Sequence, residues 1–232
     1  MRFPAFRTPS LSNFVLCAAI LIPAAAISAT PAGQPATELA QLADRYIART
    51  FELNPVMATW AGEKQYIDKF VNNLTPSFRE RELAVQTETL AALDRIDSTM
   101  LAPADRLTYE VLRYRASMRR DEAQFDFYLT PFNQFYSLPL TLVQFSSTEG
   151  AQPFRSVADY DAFLRRLAGF PGWVDSAIAN MREGMAKKVV QPRVLMSRVL
   201  PQLKTQIVAD PAQSGFYRPV LKFPAAIGEA DR

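Results

Sequence analysis

From Ala36 onward the apolar residues of this chain recur three and four positions apart, in segments that open on Pro, Ser or Thr, and that rhythm admits little besides an array of helices. Thr37 caps the first expected helix, whose inner face is Leu39, Leu42, Tyr46 and Ile47, continuing to Phe51 and stopping near Asn54 and Pro55. Pro55 opens a short helix through Met57 and Trp60, closed by Gly62. Ser77 and Glu80 stand in capping-box spacing ahead of a long helix with Leu83, Leu90 and Leu93 inside and Ile96 near its end. Pro103 begins a second long helix with the stripe Leu107, Val111, Tyr114 and Met118, extended by Phe125. The short link over residues 97–102 predicts that these two pair antiparallel. Ser156 and Asp159 give a weaker cap before Val157, Tyr160, Leu164 and Leu167. Pro171 opens a helix with Val174, Ile178, Met181 and Met185, and Pro192 opens one with Leu195, Val199 and Leu203, where Pro201 predicts a kink or a split. No strand pair joined by Asn-Gly or Asp-Gly occurs. The expected fold class is all-α: an antiparallel, bundle-like helical array with one aromatic-rich irregular segment.

The composition, 49% hydrophobic and 21% charged, is that of a foldable globular chain. Two zeros, or near zeros, exclude chemistry. The 232 residues contain no His, and their single Cys is Cys17, so a His/Cys zinc site, a Ser/His/Asp triad and, once Cys17 is lost on export, a Cys nucleophile lack their parts. Gly is scarce at 8, which removes a Gly-rich phosphate loop, and none of the nucleophile-elbow, Ser-x-x-Lys, His-Glu-x-x-His or EF-hand patterns is present.

The first residues read as an export address. Arg2 and Arg7 supply a positive start, residues 14–22 are unbroken apolar, Pro23 interrupts them, and small residues follow up to Ala29, where cleavage is expected. The alternative, an uncleaved anchor, has only nine apolar residues before Pro23, short of the ~20 a spanning helix needs. Removing Arg2 and Arg7 brings a formal net charge of +3 close to neutral, so nucleic acid is not an expected partner. An exported protein, periplasmic or extracellular, with no stable membrane span after cleavage, is the resulting expectation.

Between Phe125 and Phe145 the helical rhythm breaks. Phe127, Tyr128, Phe132, Gln134, Phe135 and Tyr136 lie there among Pro131, Asn133 and Pro139. Such a segment is either a loop pinned to the core by its rings or a wall facing a ligand or partner. Among carboxylates, Asp121 with Glu122 and Asp159 with Asp161 are adjacent or two apart, a spacing that does not bring side chains together on a helix, and they read as solvated surface. Arg106, Arg113 and Arg120, interspersed with Asp105, Glu110 and Asp121, read as a salt-bridged face ahead of an anion site. Asn73-Leu74-Thr75 matches a glycosylation acceptor, a pattern common by chance.

Five pieces stand in a distinctive order: Asn54-Pro55-Val56-Met57-Ala58-Thr59-Trp60-Ala61-Gly62, Leu101-Ala102-Pro103-Ala104-Asp105-Arg106-Leu107-Thr108-Tyr109-Glu110, Asp159-Tyr160-Asp161-Ala162-Phe163-Leu164-Arg165-Arg166-Leu167, Met181-Arg182-Glu183-Gly184 and Gln191-Pro192-Arg193. Their order and spacing resemble the N-terminal half of bacterial domain-of-unknown-function 885 proteins, from about Leu39 to the C-terminus. The resemblance implies an exported, mostly helical, zinc-peptidase-like family of about twice this length. Its metal motif, a His-Glu pair followed by Pro-Gly-His, belongs to the second half. With no His here, no ligand carries over, so the expectation is no catalytic residue and no cofactor in this chain, with zinc only alongside the missing half. The implied organisation is a signal peptide at 1–29, a linker at 30–36, a helical domain at 37–208 that is the incomplete N-terminal half of a larger one, and an irregular tail at 209–232. Two functions follow. One is the helical scaffold of a metallopeptidase-like hydrolase, its partner a separately encoded C-terminal half or a second copy. The alternative is a free-standing exported binding module for a peptide, lipid or protein partner.

Overall fold

The computed structural model describes residues 33–147 and 150–231. The expected signal peptide, Cys17 and the first residues of the expected linker lie outside them. The described chain is all-α, and no strand occurs among its described residues. Helix α1 runs Gln34–Leu53 with Pro35 in its first turn, so it begins ahead of Thr37, inside the stretch expected to be linker. It stops at Asn54, and α2 (Pro55–Trp60) restarts at once because Pro55 needs no donor in a first turn. Helix α3 (Pro76–Leu93) is capped by Thr75 rather than Ser77: its Oγ1 accepts the Phe78 N–H at 3.2 Å, and Pro76 takes the first helical position. After α4 (Pro103–Glu122) come α5 (Leu138–Phe145), α6 (Val157–Ala168), α7 (Phe170–Lys187), α8 (Arg193–Lys204) and the short α9 (Arg218–Leu221). Ser156 caps α6, its Oγ accepting the Asp159 N–H at 3.4 Å. Helix α8 is not split by Pro201 but runs on through it to Lys204, without the i−4 bond that Pro201 has no N–H to make.

Helices α1, α3 and α4 share the largest core, built from Leu39, Leu42, Tyr46, Leu53, Phe78, Val85, Leu93, Tyr109 and Leu112. α4 lies antiparallel to α3, since Arg113 Nη1 reaches Asp94 at 2.7 Å near the end of α3 while Arg119, later in α4, acts on Glu82 near its start. Helix α1 opposes α3 in the same sense: Arg49 pairs with Glu88, whereas the earlier Leu42 shares a groove with the later Ala92 and Ile96.

On α4, α6 and α7 the buried stripes are not the ones the apolar spacing marks, whereas α1 buries Leu39, Leu42 and Tyr46 and α3 buries Leu90 and Leu93 as expected. On α4 the core takes Tyr109, Leu112 and Ala116, leaving Leu107 and Tyr114 about two-thirds exposed and Val111 and Met118 open as well. On α6 it takes Asp159, Ala162, Phe163 and Arg166 while Val157 and Leu164 face water, and on α7 it takes Trp173, Ala177 and Gly184 while Ile178 and Met185 do. Ile47 and Leu83 are likewise exposed, not internal. Small residues at the true contacts explain the displacement, because Ala and Gly let neighbouring backbones close in, which larger side chains would prevent. Gly184 shows the limit: a Cβ there would stand 2.6 Å from the Val189 carbonyl oxygen and 3.2 Å from Leu129 Cβ.

Helix α7 is clamped to residues 72–74. Trp173 Nε1 donates to Asn73 Oδ1 at 2.9 Å, Asn180 Nδ2 to the Leu74 carbonyl at 3.0 Å, and Asn72 Nδ2 to Ser176 Oγ at 2.8 Å. The tail after residue 208 is held rather than loose: Ser146 Oγ donates to the Gly215 carbonyl at 2.7 Å, the Tyr160 hydroxyl donates to the Pro219 carbonyl at 2.8 Å, and Pro219 and Ile227 are buried.

Candidate functional site

Arg166 has no exposed surface, although it belongs to an amphipathic helix rich in charge. Its position follows from the helix period, since residues 162, 163 and 166 share one face and the first two are core. Each of its three nitrogens donates, with four of the five N–H groups used. Nε donates to the Lys69 carbonyl at 3.0 Å, Nη1 to Gln152 Oε1 at 3.0 Å, and Nη2 to Thr59 Oγ1 at 2.6 Å and to the Tyr66 carbonyl. Thr59 spends its own hydroxyl proton on the Pro55 carbonyl at 2.9 Å, which leaves the oxygen to accept. The guanidinium also lies 5.1 Å from the centre of the Phe145 ring. One side chain on α6 thereby holds α2, the turn after it, α5 and residues 150–155.

The acceptors of Arg166 are neutral, and burial lowers its pKa to about 10, opposed by the charge of Asp68. It therefore stays a cation at neutral pH. Asp68 is a shared counter-charge, 3.4 Å from Lys69 Nζ and 3.5 Å from Arg165 Nε. Nearby, Asp159 is buried and accepts the Arg155 N–H at 2.8 Å, so it is not the solvated surface carboxylate expected of it; its place at the N-terminus of α6 draws it inward. Asp121 and Asp161 are exposed and Glu122 partly so, as the spacing predicts.

Against this cluster opens a cavity of about 530 Å³. Thr59 and Gln152 belong to both the cluster and the cavity wall, and Ile67, Phe154 and Tyr160 give it apolar sides. Burial raises the Tyr160 hydroxyl above its ordinary pKa. Lys64, Arg155 and Lys222 line the cavity as well, with Glu63.

The six aromatic-segment residues do not line this cavity. Tyr128 is half-buried beneath the Arg79 guanidinium, 3.8 Å from the ring centre, and donates to Glu183 Oε1 at 3.1 Å. Phe132 packs against Trp173, and Gln134 is half-buried with an Oε1 that has no partner among the described residues. Phe127 is exposed beside Phe125. Phe135 and Tyr136 are 75% and 77% exposed on a turn whose N–H groups both donate to Asn133 Oδ1. Part of the segment is thus pinned to the core, and three of its rings project. The arginine stripe of α4 is polar surface: Arg106 donates to the Ser98 carbonyl, Arg113 to Asp94 and Arg120 to Asp121.

The model of a family described as bacterial protein of unknown function (DUF885) matches residues 55–232. The chain belongs to that family. No curated protein and no solved structure matches it. In this DUF885 member the pieces at 54–62 and 159–167 meet in space, because Thr59 and Arg166 are hydrogen-bonded across 107 residues of sequence. Among the described residues no group of three or more His, Cys, Asp or Glu stands close enough to hold a metal ion, and no helix is long and apolar enough to cross a membrane. Sequence reasoning missed Arg166, Gln152 and the cationic rim; the one available signal was an arginine falling on the Ala162-Phe163 face of its helix.

Proposed function

We propose that this chain is the helical scaffold of an exported, metallopeptidase-like hydrolase, laying an apolar face of α4 against a metal-bearing body supplied from outside these 232 residues, and that it has no peptidase activity of its own. The observation that carries the reading is the row Leu107, Val111, Tyr114 and Met118, four large apolar side chains spaced along one helix and open to water. Burying a fully exposed side chain of this kind is worth roughly 1.5–3 kcal/mol, and these four retain about a third to two-thirds of their surface to bury, so the helix gains by being covered. Family membership and the lack of any His among the 232 residues support the division of labour.

The test is a purified chain assayed for zinc-dependent cleavage of a peptide library, for dye binding and for association state. No cleavage, together with dye binding or self-association that Val111→Glu with Tyr114→Glu abolishes at unchanged helicity, is the expected result. Zinc-dependent cleavage with stoichiometric bound zinc overturns it. A monodisperse, dye-negative monomer with a sharp, high melting transition also overturns it, in favour of the free-standing binding module.

A further inference from the structure

The cavity beside Arg166 has the size, charge and wall chemistry of a small-molecule site. At about 530 Å³ it falls in the range such sites occupy. Its rim draws cations from three separate stretches of chain: Lys64 from the turn after α2, Arg155 from the segment before α6, and Lys222 from the tail just after α9. Neither Lys64 nor Lys222 pairs with a carboxylate among the described residues. Arg155 has only a long contact with Asp159, at 3.6 Å, and Glu63 is the one acidic side chain on the described wall.

The inner wall carries the same sign. Arg166 holds its positive charge against neutral oxygens, and two of those, on Thr59 and Gln152, are cavity-wall residues. With Oε1 of Gln152 fixed on the guanidinium, its Nε2 is left as a donor with no acceptor among the described residues. Ile67, Phe154 and the Tyr160 ring complete the wall, offering apolar contact and no counter-charge.

We propose that this cavity binds a small carboxylate bearing an aromatic or aliphatic body, its charge at the Lys64, Arg155 and Lys222 rim and its body against Ile67, Phe154 and Tyr160. The inference is independent of whether α4 docks on another body, because the cavity shares no residue with the α4 face.

Titration of the full chain by calorimetry with N-acetyl-L-phenylalanine, its uncharged amide and inorganic phosphate tests it. Saturable one-site binding of the acid is expected, at least tenfold tighter than the amide or phosphate, which corresponds to about 1.4 kcal/mol. The surface double variant Lys64→Glu with Lys222→Glu is expected to lose that preference for the acid while keeping the wild-type melting temperature. Equal binding of acid and amide, no heat from the acid up to about 10 mM, phosphate binding as tightly as the acid, or an unchanged preference in the double variant overturns the proposal.

Discussion

The Arg166 guanidinium donates to the side-chain oxygen of Gln152 at 3.0 Å, and both side chains are closed off from water. An arginine so placed gives up its hydration, and here it recovers four protein acceptors drawn from residues 59 to 152. The segment carrying Gln152 has little regular structure to hold it, so the cavity wall depends on this bond. Structure and candidate site therefore rest on one side chain.

Arg166→Lys keeps the charge but has no planar fork, and a single ammonium cannot serve acceptors on four different residues. With three donors against four acceptors, at least one of them loses its partner inside the core, at about 1–3 kcal/mol. Denaturant unfolding is expected to show that loss, and Arg166→Met a larger one. A variant as stable as the parent would contradict the role assigned to the cluster.

Two glycines of α7 give a matched pair. A Cβ at Gly172 meets nothing within 4 Å, so Gly172→Ala is expected to stabilise the helix by about 0.5–1 kcal/mol. A Cβ at Gly184 meets the Val189 carbonyl and Leu129, part of which is backbone that cannot turn aside, so Gly184→Ala is expected to cost about 1–3 kcal/mol. Opposite signs in thermal melts check both.

Export is expected to remove the first ~29 residues. Intact-mass measurement of the exported protein should find no Cys17, and retention of residues 14–22 with partition into membranes would contradict this.

Helix existence was legible in the sequence because Pro55, Pro103 and the cap at Ser156 mark starts that the backbone must honour whatever the tertiary context. Which face turns inward was legible on α1 and α3, where Leu39, Leu42, Tyr46, Leu90 and Leu93 are buried, but not on α4, α6 and α7. Apolar spacing marks where hydrophobic groups lie, whereas Ala116, Ala162, Ala177 and Gly184 decide which face can approach a neighbour closely, and a small residue leaves no periodic signal of its own. The stripe of α4 was read as core on that account. The candidate cavity was hidden for a different reason: Thr59, Gln152 and Lys222 are far apart in the chain, and only the buried Arg166 and the packed tail bring them to one place.

Glu82 provides a test of the α3–α4 contact through pH. Burial raises its carboxyl above the ordinary value, the charge of Arg119 opposes the rise, and that of Glu122 adds to it. A carboxyl whose folded pKa exceeds its unfolded one binds its proton more tightly in the native state, so stability is greatest at acid pH as far as this group is concerned. It falls as pH rises from the unfolded value of 4.5 through the raised folded one, and the penalty is complete above both. Glu82→Gln removes the ionisation while keeping the shape. The variant is expected to be more stable than the parent at pH 7 and to differ little from it at pH 4, where the parent carboxyl is largely protonated. Urea unfolding at the two pH values measures the difference, and Glu122→Gln, which removes the smaller like-charge contribution, should shift the parent in the same direction by less. A Glu82→Gln chain less stable than the parent at pH 7 would mean that the attraction of Arg119 outweighs burial, and that this edge of the α3–α4 pair is held by charge.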